Sequence, residues 1–312
     1  MAGKHLSVLM VFGLACGGEE PLAEPEAPSS VLGPYATCDA SRHLGGFEMS
    51  LRAGFTSVQG AVADGVRPLD VPEVSRQEGA CQLLRPKTLF CATPCPGGET
   101  CGDDGQCVAL PSNVSVGTVT VEGLSAPVEM EARAPIYFYN HVGALPHPGF
   151  VEGASLSLVA TGADGGEAFA ISSLGVAALE VVDETMAMER DTAGQLTWVP
   201  STGDPSVRIE IELNIANHGG TPARVVCVAE DSGQFQIPAT LINDLLDLGY
   251  SGFPSVALTR VSSNTADVGE GCVASRAQSE QVLAVEIPGL VSCSDSTDCP
   301  EGQACRLDLT CG

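Results

Sequence analysis

Lysine is almost missing from this chain: among 312 residues only Lys4 and Lys87 carry an ammonium group. Lysine and arginine together number 14 against 39 Asp and Glu, a formal net charge of −25. Such a surface repels phosphate backbones and excludes nucleic acid as a partner. It also repels anionic lipid head groups, so any membrane attachment must come from something other than charge. Long apolar runs are equally scarce. A helical span needs about 20 apolar residues, and no run after Cys16 approaches that. Catalytic signatures are missing too: there is no G-x-S-x-G, H-E-x-x-H, phosphate-loop Gly-Lys-Ser/Thr or G-x-G-x-x-G. These absences remove the reasons to propose an enzyme, and no cofactor is expected.

What is present begins at the N-terminus. Lys4 gives a short positive start, Leu6–Ala15 form an apolar run, and Gly13-Leu14-Ala15-Cys16 closes it with small residues and a thiol. The run is too short for a membrane helix and has the proportions of a secretory signal over residues 1–15. The small residues followed by cysteine resemble the lipobox of bacterial lipoproteins, with Gly13 where that family usually has Leu. The resemblance implies cleavage before Cys16 and acylation of Cys16, so acyl chains would be the membrane contact. Gly17, not Asp, follows that cysteine. By the rule known from enteric bacteria this favours the outer membrane, facing the periplasm or the cell surface.

Setting Cys16 aside for lipid, twelve of the thirteen cysteines remain: Cys38, Cys81, Cys91, Cys95, Cys101, Cys107, Cys227, Cys272, Cys293, Cys299, Cys305 and Cys311. An even set can pair completely, and disulfides persist in oxidising compartments such as the periplasm or cell surface. Export signal and cysteine arithmetic therefore agree. Residues 16–36 hold the lipidation site and an acidic, proline-rich tether, Gly17–Pro34, too poor in large apolar side chains to fold. In extended proline-type form, at ~3.1 Å per residue, it reaches on the order of 50 Å.

The expected architecture is all-β, with a β-sandwich main domain, a small N-terminal β-domain and two short disulfide-rich modules. Over 37–90, Phe47, Met49 and Leu51 alternate with polar residues, and Phe55–Val62 runs to the turn pair Asp64-Gly65. Cys81–Leu84 and Thr88–Cys91 add two short apolar pieces, and a Cys38–Cys81 bridge is expected by elimination. In the main domain, 112–290, Val207, Ile209, Ile211, Leu213 and Ile215 alternate with Arg208, Glu210, Glu212 and Asn214, a strand with one dry face. Weaker strand patterns occur at Gly117–Glu122, Ser155–Ala160, Glu167–Ser172, Ala223–Val228, Val256–Val261 and Val282–Ile287, between turn-rich links such as Thr161–Gly166 and His218–Pro222. One helix is expected over Pro238–Leu248, with Pro238 in its first turn and Gly249 at its end. Cys227 and Cys272 are expected to join each other.

The modules, 91–111 and 291–312, carry the most specific pattern. Cys95-Pro96-Gly97-Gly98-x2-Cys101-x5-Cys107 and Cys299-Pro300-Glu301-Gly302-x2-Cys305-x5-Cys311 both read C-P-x-G-x-x-C-x5-C, preceded by Cys91 and Cys293. Modules this small need bridges for stability. Four cysteines allow three pairings, and spacing does not choose among them. A zinc knuckle is disfavoured by the x3 and x5 spacings and by the compartment. The pattern is similar to Dickkopf-type cysteine-rich stubs. More of the chain resembles the cysteine-rich lipoproteins of myxobacteria and their relatives, a family without an assigned activity. Ser57–Pro68, Cys81–Leu84, both modules, Ala160-Thr161-Gly162-x-Asp164 with Phe169, Leu196-Thr197-Trp198, and Cys227 leading to Asp231-Ser232-Gly233 and Ile237-Pro238 carry that resemblance. It implies architecture and location only.

Three candidate chemistries can be weighed. Asp231-Ser232-Gly233 after an apolar strand resembles an aspartic-protease loop, but that chemistry needs two carboxylates sharing a proton. Only one such tripeptide exists here, so a hydrolase would need a homodimer, and a turn is the simpler reading. His141, His147 and His218 lie in loop-like sequence with no metal-binding frame. Asp103-Asp104-Gly105 and Asp295–Asp298 could hold Ca²⁺ but fit no twelve-residue calcium loop, so no metal is assigned. The reading that remains is a non-enzymatic, lipid-anchored envelope protein with a binding, adhesive or structural role toward a protein or glycan ligand. A secreted hydrolase using Asp231 and a Ca²⁺-dependent adhesion module are the alternatives.

Overall fold

A computed structural model describes residues 35–163, 166–201, 203–215 and 223–312. The signal segment, Cys16, the tether through Pro34, Asp164 and His218 lie outside the described residues.

In chain order the strands begin with β1 (His43–Arg52), β2 (Phe55–Ala63), β3 (Glu73–Glu78), β4 (Cys81–Arg85), β5 (Glu99–Cys101), β6 (Cys107–Ala109) and β7 (Asn113–Val114). There follow β8 (Thr118–Glu122), β9 (Val128–Glu131), β10 (Tyr139–Asn140), β11 (Ser155–Ala160), β12 (Phe169–Leu174), β13 (Thr185–Ala187) and β14 (Gly194–Thr197). The last are β15 (Val207–Asn214), β16 (Arg224–Glu230), β17 (Gln234–Ile237), helix α1 (Ala239–Asp247), β18 (Ser255–Val268) and β19 (Gly271–Glu286). The chain is thus mostly β and disulfide-rich, with little helix.

One large sheet runs β10-β2-β1-β19-β18-β15-β16-β4-β3, with β7 extending β2 and β13 beside the far end of β19. Its spine is the hairpin of β18 and β19, turned at Gly269-Glu270, where Gly269 adopts φ +56°. Most neighbours are antiparallel, but β1 and β13 lie parallel to β19. The alternation that marks β15 in the sequence sets its faces. Val207, Ile209, Ile211 and Leu213 are buried, and the residues between them are half-buried on the opposite side.

Two apolar cores share one face of this sheet. The first lies under β4, β15, β16 and one end of β18–β19, and is closed by α1, the β14–β17 pair and Trp198. Leu241, Ile242 and Leu245 are the buried face of α1, and Gly249, at φ +86°, ends the helix region as its sequence position suggested. The second core is shared with a four-stranded sheet, β12-β11-β8-β9. Val119, Val121, Leu156, Leu158 and Ile171 from that sheet meet Phe47, Met49, Val58 and Val273 from the large one.

Three expectations need correction. Residues 37–90 do not form a sheet of their own: β1 pairs with β19 and β4 with β16, so this segment is built into the large sheet. Thr88–Cys91 forms no strand, and Phe90 is 80% exposed. The two long-range bridges exchange partners: Cys38 joins Cys272 and Cys81 joins Cys227. Register explains both. Cys81 stands directly opposite Cys227 across β4 and β16, and Cys38 leads into β1, which starts at the level of Cys272.

Chain-entropy arithmetic for a loop as long as Cys38–Cys272, 234 residues apart, gives about 5 kcal/mol of stabilisation. A Cys38→Ser/Cys272→Ser variant should therefore melt well below the parent in calorimetry. Cys299→Ser/Cys311→Ser, opening a peripheral bridge, should barely move the main transition. Equal shifts in the two variants would show that the long bridge does not close the sheet as described.

Candidate functional site

Asp231 is the residue that most suggested chemistry, and its surroundings are those of a structural ion pair. It opens the β16–β17 turn, where Gly233 takes φ +93° and gives its carbonyl to the Trp198 N–H. Its side chain is 1% exposed and that of its partner Arg260 is 2% exposed. Arg260 Nε donates to Oδ2 at 2.7 Å and Nη2 to Oδ1 at 3.3 Å. Trp198 Nε1 donates to Oδ1 at 2.7 Å, and Ser201 Oγ to Oδ2 at 2.6 Å. The remaining guanidinium donors reach the carbonyls of Ala178 at 2.9 Å and Val199 at 2.5 Å. Burial pushes the Asp231 carboxyl up, but hydrogen bonds from Arg260, Ser201 and Trp198 and the Arg260 charge outweigh it and hold it below the ordinary range. Both oxygens are occupied by donors, and none of these hydrogen-bond partners is a second carboxylate with which to share a proton.

Arg260 was not singled out from the sequence, although a signal existed. In Val256–Val261 it falls in register with Val256 and Leu258, on the dry face of the strand. A charge on a dry face demands a buried counter-ion.

The two cysteine modules share one connectivity. Cys91 joins Cys101 and Cys95 joins Cys107; Cys293 joins Cys305 and Cys299 joins Cys311. Their loops match bond for bond. The N–H of Gly102 reaches the carbonyl of Gln106, as Arg306 reaches Thr310. Gly105 and Leu309 occupy the same left-handed position, at φ +74° and +60°. Three sulfurs in each module lie within 4.8 Å of one another, the spacing of a metal cage, but all are bonded in disulfides. The second module is fastened to the loop after α1 through Gly252 N–H to the Asp308 carbonyl, and through Ser292 Oγ to the Gly252 carbonyl.

The acidic turns spend their oxygens on their own backbone and on Lys87. Asp104 accepts from the Gln106 N–H at 3.0 Å, and Asp103 pairs with Lys87 at 2.9 Å. Asp295 and Asp298 form a capping box around the short turn of Ser296–Asp298. His147 Nδ1 sits 3.2 Å from Thr56 Oγ1, and the His141 N–H donates to the Val58 carbonyl. Both histidines therefore flank β2; they are not brought together with the acidic turns.

The feature with the geometry of a binding site lies on the opposite, coreless face of the large sheet. Ala61, Gly46 and Ala274 are cross-strand neighbours on β2, β1 and β19. Small side chains in a row make a shallow trough of about 260 Å³. Beside it runs a polar row of the same three strands, Gln59, Glu48 and Arg276. Phe138, 45% exposed, forms one wall. Its neighbour Tyr139 turns inward, edge-on to Phe47, with its hydroxyl donating to the Gly117 carbonyl at 2.9 Å. At the other end Arg276 grips Glu210 through two bonds, at 2.9 and 2.6 Å, and Tyr35 donates to Glu210 at 2.5 Å. Burial, the Glu210 charge and that hydrogen bond push the Tyr35 phenol far above its ordinary value.

Removing one member of the Asp231–Arg260 pair strands the other charge in the interior, at a cost of roughly 3–5 kcal/mol. Asp231→Asn and Arg260→Met should each lower Tm by about 10 °C, whereas Ser201→Ala costs less. The pH dependence has a defined sign. A carboxyl held below its unfolded value of about 3.9 contributes fully above about pH 5. That contribution is lost as pH falls through the folded value. Tm should thus fall more steeply between pH 5 and 3 in the parent than in Asp231→Asn, and parallel curves would refute the ion-pair assignment.

Compared with known proteins, the chain matches no family model and no curated sequence.

Proposed function

We propose that this protein is a lipid-anchored component of a bacterial cell envelope, exported and held at the outer membrane by acyl chains on Cys16. In this reading it is not an enzyme; it is a β-sandwich platform that presents the coreless face of its large sheet to a ligand. The single observation that carries the proposal is the cysteine pairing. All twelve cysteines among the described residues are bonded to one another in six bridges. That leaves Cys16, directly after a signal-like segment, as the one cysteine outside the set. Full pairing suits an oxidising compartment, and stable anchoring by acyl chains requires at least two of them.

The platform role draws on the asymmetry of the sheet. One face is buried under two apolar cores. The other carries half-buried charged and amide side chains in fixed cross-strand rows, and Tyr35, the first described residue, is pinned to it. The described chain thus begins against that face. Net charge of −25 gives this surface solubility and no affinity for acidic lipid.

Metabolic labelling with a palmitate analogue, comparing the parent with Cys16→Ser in a host that processes lipoproteins, tests the anchor. The parent should label and fractionate with membranes, and the variant should do neither. Equal labelling of both proteins would reject acylation at Cys16.

A further inference from the structure

We propose that the trough over Gly46 is a saccharide-binding site for a neutral oligosaccharide. The inference rests on reading the coreless sheet face as the binding surface, and it names the ligand class.

Three features of the trough set the requirements. The first is its bare floor. A Cβ on Gly46 would come within 2.5 Å of the Ala274 carbonyl oxygen, so strand packing holds glycine there. The neighbours on either side are alanines, Ala61 and Ala274. A flat ring can therefore settle close to the backbone. The second is Phe138, an exposed aromatic face fixed beside the floor because adjacent Tyr139 is fully buried and hydrogen-bonded through its hydroxyl. The aliphatic C–H face of a sugar ring packs on such a surface with the gain of any desolvated apolar contact. The third is the polar row. Glu48 and Gln59 are opposite each other across β1 and β2, and both are half-buried. Glu48 demands donors; Gln59 can both give and accept. Vicinal hydroxyls meet both demands at once.

Charge selects among glycans and against other ligands. The one cation of the row, Arg276, is committed to Glu210 on two atoms and to Gln278 on a third. It has no fork free for a carboxylate or sulfate on the ligand. The chain as a whole, at −25, repels polyanions. Acidic polysaccharides are therefore disfavoured twice. A cationic peptide would satisfy Glu48 but has no use for the flat floor. A volume of about 260 Å³, just under the usual ~300–1,000 Å³ of small-molecule pockets, suits one or two sugar rings of a longer chain.

The test uses the full chain in detergent and isothermal titration with cellohexaose, chitohexaose and maltohexaose. Polygalacturonate and an arginine-rich heptapeptide serve as contrasting probes. At least one neutral hexasaccharide should bind. Phe138→Ala and Glu48→Gln should each weaken that binding at least tenfold while leaving Tm unchanged, because neither side chain is part of a core. No binding by any of the three hexasaccharides, or binding that both variants leave intact, overturns the proposal. If only the peptide binds and Glu48→Gln abolishes it, the saccharide assignment falls while the sheet face stands as a binding surface. If no probe binds, both fall.

Discussion

The Asp231–Arg260 pair is the constraint around which the interior is arranged. Between its two apolar cores the large sheet is crossed by a segment, 175–180, that follows β12 and belongs to no strand. A crossing backbone inside a protein carries N–H and C=O groups that need partners. β18 and β19 supply them from side chains. Ser262 Oγ takes the Leu174 N–H, Ser279 Oγ takes the Leu179 N–H, and Arg260 donates to Ala178 and Val199. A guanidinium suits this place because its donors point in several fixed directions. Its charge then requires a carboxylate at the same depth, and Asp231 at the β16–β17 turn provides it. An apolar residue would pack here at less electrostatic cost, but it would leave those carbonyls unpaired. The polar seam is thus the consequence of running a chain across a sheet.

The same logic orders the long bridges. β1 lies parallel to β19 although more than two hundred residues separate them, and β4 joins β16 across more than a hundred. Pairing of such distant segments carries a large loop-closure cost, which rises only slowly with length. Cys38–Cys272 and Cys81–Cys227 secure those two seams. The small modules use the opposite economy. Their bridges span ten or twelve residues and hold segments with almost no apolar interior. Identical loop bonding in both modules allows different tips. Asp103 is tied to Lys87 in the first, and Leu307 stands 98% exposed in the second. The frame is conserved between the two copies while the tip chemistry is not.

What the sequence made legible follows from local physics. Period-two alternation identified β15 and placed Phe47, Met49 and Leu51 on a dry face, and Pro238 and Gly249 bracketed the helix. The repeated cysteine spacing marked two modules that fold alike. Sheet partners were not legible, because the alternation of β1 is the same whether its neighbour is β4 or β19. From that single ambiguity came both exchanged disulfides and the separate domain expected over 37–90. The trough was hidden for a related reason. Glu48 and Gln59 could each be assigned to a wet face, but their alignment with Gly46 and Ala274 depends on a parallel register that no local pattern encodes. Arg260 was the exception, readable as a charge out of place on a dry face.

The seam and the trough are two sides of one sheet, and the first makes the second possible. A cross-strand row holds its geometry only if the strands beneath it cannot slide. On the covered face, β18 and β19 are locked to the crossing segment by serines and by Arg260, and the Cys38–Cys272 bridge ties the chain leading into β1 to β19. On the open face the same strands carry Arg276, Glu48 and the bare stretch around Gly46. Strand register fixed from below therefore positions Gln59, Glu48 and Arg276 without any covering layer. A surface that stays in contact with water can then keep its polar side chains in place, since the ordering cost is met by the interior. The buried charge contributes little to stability when weighed against an apolar alternative; what it supplies is a fixed attachment of β18 to the crossing segment and to Val199.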